Sequence, residues 1–310
     1  MQCNCITKAI QMEHKRFISK DSNVSKFVFE KEESKTKAIA IEAVLYQYNS
    51  YKERTVICCS TQCGCPVGCV FCGTGKFFVR NLTSEEIVEQ VDTVLQYIDC
   101  KTEEINKFQI MFMSMGDPFL NYTNLDSAIK ELSAKYPNAQ LLVSTSAPLG
   151  QTVQRFDHFI DLCQRNNKIG IQFSVHESND EARAKLIPTA TTPLHGIGEM
   201  GEKWALKTGR KPFFNYCVHE RNSFDQNIQE LLENFNPDVW ECTLSVICEK
   251  DNTMQNAINE KLGLIKGFSE KMVNAGYSIR VFNPAGQDDI GGGCGQLWYF
   301  QEWLKSKKTK

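Results

Sequence analysis

The sequence predicts an α/β protein, a partial (β/α)6 TIM-like barrel preceded by a small N-terminal β-hairpin. Three observations carry this. From about residue 55 onward, short β-like runs alternate with longer segments of helical period. Those segments carry start and stop residues, and residues 26–48 alternate apolar and polar at period two around a charged turn. Repeated β-then-α units imply a parallel sheet with helices outside, and about six units make a partial or complete barrel with its chemistry at the C-terminal strand ends.

Residues 1 to 23 are polar and mixed in charge, and read as a short arm or one helix. Lys26 to Glu30 and Ala38 to Tyr48 form the two arms of a hairpin around EKEESKTK. TVICC (55 to 59) is a third β-like run, followed by a Gly- and Cys-rich loop. NLTSEEIVEQVDTVLQYI then opens with Thr83 and places Glu86 three residues later, which predicts a capped helix. FQIMFM (108 to 113), QLLVS (140 to 144), KIGIQFSV (168 to 175), PFFNYCV (212 to 218), the run around Thr243 to Cys248 and YSIRVF read as strands. NLDSAIKELSAKY, TVQRFDHFIDLCQRN and NAINEKLGLIKGFSEKMVNAG read as helices, the last ended by Gly276. These runs divide the chain into an arm and hairpin over 1–50, a barrel over 51–300 and a basic tail over 301–310.

With 310 residues, 42% hydrophobic and 23% charged, the chain can bury a full core, which excludes a disordered or collagen-like protein. Its 35 Lys+Arg balance 37 Asp+Glu, so no global positive field advertises nucleic-acid binding and any such contact must be local. The N-terminus lacks a signal-peptide apolar core, and no run of about 18 apolar residues occurs. The expectation is a soluble, cytoplasmic protein that is monomeric and has no membrane contact. In a reducing compartment, clustered thiols bind metal or do redox chemistry more often than they form structural disulfides.

The cysteines are unevenly placed. Of 14, six (Cys58, Cys59, Cys63, Cys65, Cys69 and Cys72) fall within fifteen residues. Cys65, Cys69 and Cys72 form CxxxCxxC in a loop after a strand, and three such thiolates can hold three irons of a 4Fe-4S cube, leaving one iron open to an outside ligand. Structural zinc takes four protein ligands, and Cys59 or Cys63 could supply the fourth, so a zinc site is the competing reading.

VICCSTQCGCPVGCVFCGTGKFFVRNLTSEEIVEQV resembles the cluster loop of the radical S-adenosylmethionine (SAM) superfamily, and within it the RlmN/Cfr family of RNA adenine methyltransferases. GTGK in this stretch is not a phosphate-binding loop, since Val70 and Phe77 stand where that motif needs Gly and Ser/Thr. SMGDP (114 to 118), STSA (144 to 147), SVHESNDEARAKLIP (174 to 188) and DDIGGGCGQL (288 to 297) follow in the family's order. The resemblance implies a radical SAM barrel, a 4Fe-4S cluster on Cys65, Cys69 and Cys72, and SAM held by Gly116, Asp117, Ser144, Ser174, Val175 and His176. Asp117 replaces the family's Glu with a shorter carboxylate.

The resemblance also implies a reaction with two SAM molecules per turnover. Cys294 takes a methyl group from the first; reductive cleavage of the second gives a radical that removes hydrogen from that S-methyl group. The resulting carbon adds to an adenine ring carbon, carbon 2 in preference to carbon 8, of ribosomal or transfer RNA. Cys58 then attacks the sulfur of Cys294 to free the base, leaving a disulfide, and Glu42, in IEAV, accepts the ring proton. An electron donor such as flavodoxin or ferredoxin and a thiol reductant are implied partners. On residue type alone, Cys58 reads first as a buried strand thiol and Cys294 as a spare cysteine near a Gly turn, while Glu42 is equally an outward-facing strand glutamate.

Three departures from the family pattern bear on the acceptor. The family carries an N-terminal accessory helical domain, whereas about 25 residues precede the hairpin here. Cys248 stands at a SAM-contacting Asn, and Asn283 and Gln287 replace an Arg and a Gly before Cys294. Two further readings stay open: the same chemistry on a small RNA, nucleotide or polypeptide, and a metal-binding RNA-interaction module without catalysis. Candidate RNA contacts are Lys76, Arg80, Lys203, Lys207, Arg210, Lys211 and the tail lysines 305, 307, 308 and 310, although such runs are usually solvated faces.

Overall fold

The protein is described from a computed structural model that covers residues 12–34, 37–247, 259–282 and 290. Strands β1 (Glu13–Ile18), β2 (Val24–Ser34), β3 (Lys37–Tyr48) and β4 (Arg54–Cys59) pair antiparallel in chain order. From β4 the chain alternates strand and helix. A two-stranded ribbon, β5 (Gln62–Gly64) with β6 (Phe78–Asn81), brackets the cysteine loop and leads into α1 (Ser84–Leu95). Then follow β7 (Lys107–Phe112), α2 (Tyr122–Lys135), β8 (Gln140–Thr145), α3 (Gln151–Arg165), β9 (Ile169–Ser174), α4 (Asp180–Leu186) and α5 (Leu194–Thr208). The last elements are β10 (Phe213–Cys217), α6 (Asp225–Asn234), β11 (Glu241–Ser245), α7 (Leu262–Asn274) and β12 (Ser278–Val281). The ten-stranded sheet runs β1-β2-β3-β4-β7-β8-β9-β10-β11-β12, parallel from β4 to β12, which is the α/β radical SAM arrangement expected.

Alternation gives this sheet two chemically different faces. Ile57 and Cys59, Phe108, Ile110 and Phe112, Leu141 and Val143, and Ile171 and Phe173 point to the helices and form the core. At about 1.5–3 kcal/mol per buried large apolar side chain, this layer supplies most of the drive to fold. The opposite, inner face is polar: Arg54 donates to Gln109 (3.0 and 3.2 Å), and Ser245 donates to Asn215 (2.8 Å). Thr83 and Glu86 form the expected capping box on α1.

Of the two readings of the N-terminal segment, arm or helix, the described part is an arm, since residues 13–18 form an edge strand on β2. Its strand character rests on rings: His14 packs against Phe29 (5.6 Å) and Tyr97 (5.8 Å), and the Arg16 guanidinium lies 4.7 Å from the Tyr97 centroid. Hydropathy does not register such contacts. Cys248, Asn283, Gln287, Cys294 and the tail lysines lie outside the described residues.

Candidate active site

The cysteine loop is pinned at several points. Gly64 has φ +80, and a Cβ there would lie 2.3 Å from the Phe77 carbonyl oxygen, so the two strands of the ribbon approach as only glycine permits. The Cys65 amide donates to that oxygen (2.8 Å), Cys72 N–H to the Cys69 carbonyl (3.1 Å) and Val70 N–H to the Leu186 carbonyl (3.0 Å). Cys65, Cys69 and Cys72 are all reduced and partly exposed. Burial, then the nearby Asp117 and Cys72, push the Cys65 thiol up to about 12, and burial with the other two thiols raises Cys69 as well. Thiols that oppose one another's ionisation in this way suit a shared cation, which would reverse the effect.

Among the described residues, no three His, Cys, Asp or Glu side chains already stand at metal-binding distances. The donor set still fits a cluster better than zinc. Cys59 and Cys63, the candidate fourth zinc ligands, are fully buried, and their sulfurs contact the Met111 (3.6 Å) and Ala40 (3.4 Å) carbonyls in the core. That leaves three thiols on the loop, the number that keeps one iron open.

Beside the loop, the strand ends build a shelf. Gly116 has φ +93, and a Cβ on it would fall 2.6 Å from the Gln62 side chain, whose Oε1 accepts from the Asp117 amide (2.9 Å). The Asp117 carboxylate turns towards β8 and accepts from Thr145 Oγ1 (2.9 Å), Ser146 N–H (2.7 Å), Ser146 Oγ (2.8 Å) and Phe119 N–H (3.0 Å). Burial raises its pKa and these bonds oppose the rise. Thus Asp117 ties the β7 end to the β8 end, a use the sequence did not disclose. A Gly116→Ala variant is expected to lose the Gln62 contact and weaken SAM binding about tenfold or more, roughly the effect of 1–3 kcal/mol of backbone strain. Titration with SAM, alongside thermal melting, checks it.

Ser144 and Ser174 are half-buried on the inner face, and the Val175 and His176 amides both donate to the Asn215 carbonyl (3.0 and 2.9 Å). His176 is the telling residue. It has φ +64, its ring is buried edge-on against Phe71 (5.4 Å) of the cysteine loop, and its Nδ1 has no hydrogen-bond partner among the described residues. Burial and the Arg183 charge lower its pKa to about 3, so the imidazole is neutral at pH 7. An orphaned buried nitrogen next to the loop fits a polar cofactor seated there. Arg183, which sequence reasoning missed, is 1% exposed and donates to the carbonyls of Ser146 (2.7 Å), Ser174 (2.9 Å) and Thr192 (3.3 Å) and to Thr191 Oγ1 (2.5 Å).

Cys58 and Glu42 reach the same region from the other side. Cys58, on the inner face of β4, is in register with Val44 on β3 and Met111 on β7, and burial pushes its thiol up to about 12. Glu42 is 1% exposed, so it is not an outward-facing strand glutamate. Its carbonyl accepts from Ser60 Oγ (2.6 Å) and Ser114 Oγ (2.7 Å), which fasten β3 to the ends of β4 and β7. The candidate RNA cations are largely engaged: Arg80 forks onto Glu86 (2.7 and 2.8 Å), Lys203 pairs with Asp157 (2.5 Å) and Arg210 donates to the Asn167 (2.5 Å) and Ile169 carbonyls.

Residues 59–194 match the sequence model of the Radical SAM superfamily. The chain is 29% identical over 294 residues to a probable dual-specificity RNA methyltransferase RlmN from Dictyoglomus turgidum, covering 90% of this chain and 77% of the relative. It is 30% identical over 270 residues to a protein of the same name from Thermus thermophilus, covering 81% and 69%. The chain belongs to the RlmN family. A solved radical SAM methyltransferase from Sphaerobacter thermophilus superposes with a TM-score of 0.70 at 25% identity, covering 92% of this chain and 81% of that one. This RlmN-family chain is therefore a radical SAM enzyme, and the superfamily implies a 4Fe-4S cluster and SAM. Its motifs already described would hold them: the three thiols the cluster, and the Gly116 shelf with His176 the SAM. Among the described residues, no helix is long and apolar enough to cross a membrane.

Proposed function

We propose that this enzyme methylates an adenine ring carbon of ribosomal or transfer RNA, carbon 2 in preference to carbon 8, through an S-methylated Cys294 and two SAM molecules per turnover. The single observation that carries the reading is convergence: Cys58 stands near the C-terminal end of β4, the strand that leads into the cysteine loop, and Glu42, midway along antiparallel β3, lies two residues past Val44, the register partner of Cys58. The relatives' names supply the RNA. When bound, the cluster and SAM supply the radical that removes hydrogen from the S-methyl group of Cys294. The chain's own residues do the rest. Glu42 takes the proton lost from the ring carbon as the adduct also gives up one electron, which the iron–sulfur cluster would accept, and aromaticity returns. The Cys58 thiol gives up its proton to solvent and its sulfur attacks the Cys294 sulfur, the carbon–sulfur bond breaks with its electron pair passing to the product carbon, which takes a proton from solvent to become the methyl group, and a Cys58–Cys294 disulfide forms. A thiol reductant restores the pair, an electron donor of the flavodoxin or ferredoxin kind primes the cluster, and the enzyme works as a cytoplasmic monomer.

Nucleoside mass spectrometry of total RNA from cells with and without the gene tests the reading: a methyladenine lost with the gene supports it, and identical RNA in both rejects it. An S-methyl mass on the Cys294 peptide after incubation with SAM tests the intermediate. Because only the thiolate attacks and Cys58 is held up near pH 12, the attack step should quicken about tenfold per pH unit between roughly pH 6 and 9. Single-turnover decay of the protein–RNA adduct measures this, and a flat profile would remove Cys58 as the attacking thiol.

A further inference from the structure

Lys26, on β2, is one of the most deeply buried side chains of the protein: its side chain is 0% exposed, and its Nζ lies 2.8 Å from Glu42 Oε2, itself 1% exposed. The register explains the meeting. Lys26 pairs with Val44 and Glu42 with Val28, so the two charges are diagonal neighbours on one face of the β2–β3 pair. Val44 in turn pairs with Cys58, which puts that thiol on the same inner face one strand farther along. Phe27, Ile41 and Ala43 point the other way, into the core.

Folding alone does not account for the pair. Two apolar side chains of similar volume would serve a β-hairpin as well or better, since the desolvation of two buried ions cancels most of their attraction. A carboxylate kept in a dry site without a cation takes up a proton and ceases to be a base. We propose that Lys26 is the positioning residue of the proposed proton acceptor, holding Glu42 ionised and fixed in line with Cys58 on the inner face. This rests on the reading of Glu42 given above. The proton that Glu42 takes is made acidic by the aromaticity regained on its loss, so a carboxylate beside a cation suffices as its acceptor. Among the described residues, the other charged or titratable groups on this face include Tyr46 of β3, the second diagonal neighbour of Lys26. Cys58 stands on β4, and Lys15 on β1 is largely exposed and 3.3 Å from Glu30. Arg54, at the far end of β4, stacks over Tyr48 at 4.3 Å. Met111, from β7, carries no charge.

The test compares the full-length enzyme with Lys26→Met, Lys26→Gln, Lys26→Arg and Glu42→Gln. Lys26→Met and Lys26→Gln should lose about 100-fold or more of kcat at pH 7, within the usual worth of a general base, and regain it as pH rises and Glu42 ionises. Lys26→Arg should keep the wild-type pH profile. S-methylation of Cys294 should be the same in all. Infrared difference spectra, which need no cofactor, should show the carbonyl band of a protonated buried carboxyl at pH 7 in Lys26→Met, absent from wild type and from Lys26→Met/Glu42→Gln. A wild-type kcat and pH profile in Lys26→Met, or in Lys26→Gln if the methionine variant does not fold, overturns the proposal. An inactive Glu42→Gln beside an unperturbed Lys26→Met rejects Lys26 alone. A fully active Glu42→Gln rejects the role of Glu42 and the proposal with it.

Discussion

Cys58→Ala is expected to abolish turnover and leave the RNA covalently attached to the protein through Cys294. In the proposed reaction the chemistry divides at that sulfur: everything up to carbon–carbon bond formation would proceed without Cys58, and only the release of the base would need it. The predicted loss is therefore complete in steady state, at least about 10³-fold, while one adduct per chain accumulates. The fold should bear the change. Cys58 keeps a partly exposed edge on the inner face, beside Val44 and Met111, and truncation of one sulfur atom there costs about 1 kcal/mol or less. Cys59→Ala is the control. Cys59 is fully buried in the core, so its truncation should lower the melting temperature more and leave the reaction sequence intact. Denaturing electrophoresis after nuclease treatment, followed by intact mass, reads both variants. Free protein and continuing methylation in Cys58→Ala would exclude the thiol from the mechanism, and an adduct in Cys59→Ala would show that the assignment picked the wrong neighbour.

The parts of this site that were legible in the sequence are those whose chemistry resides in residue type and short spacing. Three cysteines at CxxxCxxC name their own candidate role, and Thr83 with Glu86 announces a helix start that the structure repeats. The hairpin was legible because Val24–Ser34 and Lys37–Tyr48 alternate strongly enough to fix which residues share a face. What alternation could not give is the partner across the strands. Lys26 reads as an ordinary polar strand position until the register sets it diagonal to Glu42. Asp117 shows the same gap at a motif: its place in SMGDP was visible, but the turn of its carboxylate towards Thr145 and Ser146 depends on where the end of β8 lies. That residues 13–18 of the arm are a strand was not legible for a related reason, since their inward contacts are ring and guanidinium stacking on Tyr97, 83 positions from His14 along the chain.

Arg183→Met should be strongly destabilising, by about 3–5 kcal/mol, because it removes a buried cation that satisfies several buried acceptors at once. The guanidinium joins the Ser146 carbonyl after β8, the Ser174 carbonyl at the end of β9 and the Thr191–Thr192 segment before α5. Methionine fills the space and leaves three carbonyls without a donor. Arg183→Lys should recover only part of the loss, since one ammonium cannot span acceptors that the planar fork reaches from two nitrogens. The charge itself is not at risk near neutrality: burial lowers the Arg183 pKa only to about 10, so the clamp should hold unchanged from pH 6 to 8. Function should fall with it. Ser146 also donates to Asp117, and Ser174 precedes Val175 and His176, so slackening of Arg183 loosens the whole shelf proposed for SAM. SAM affinity should therefore drop even below the melting transition, measured by calorimetric titration of the folded variant. A variant that melts early but binds SAM as wild type would show that Arg183 supports the fold without shaping the shelf.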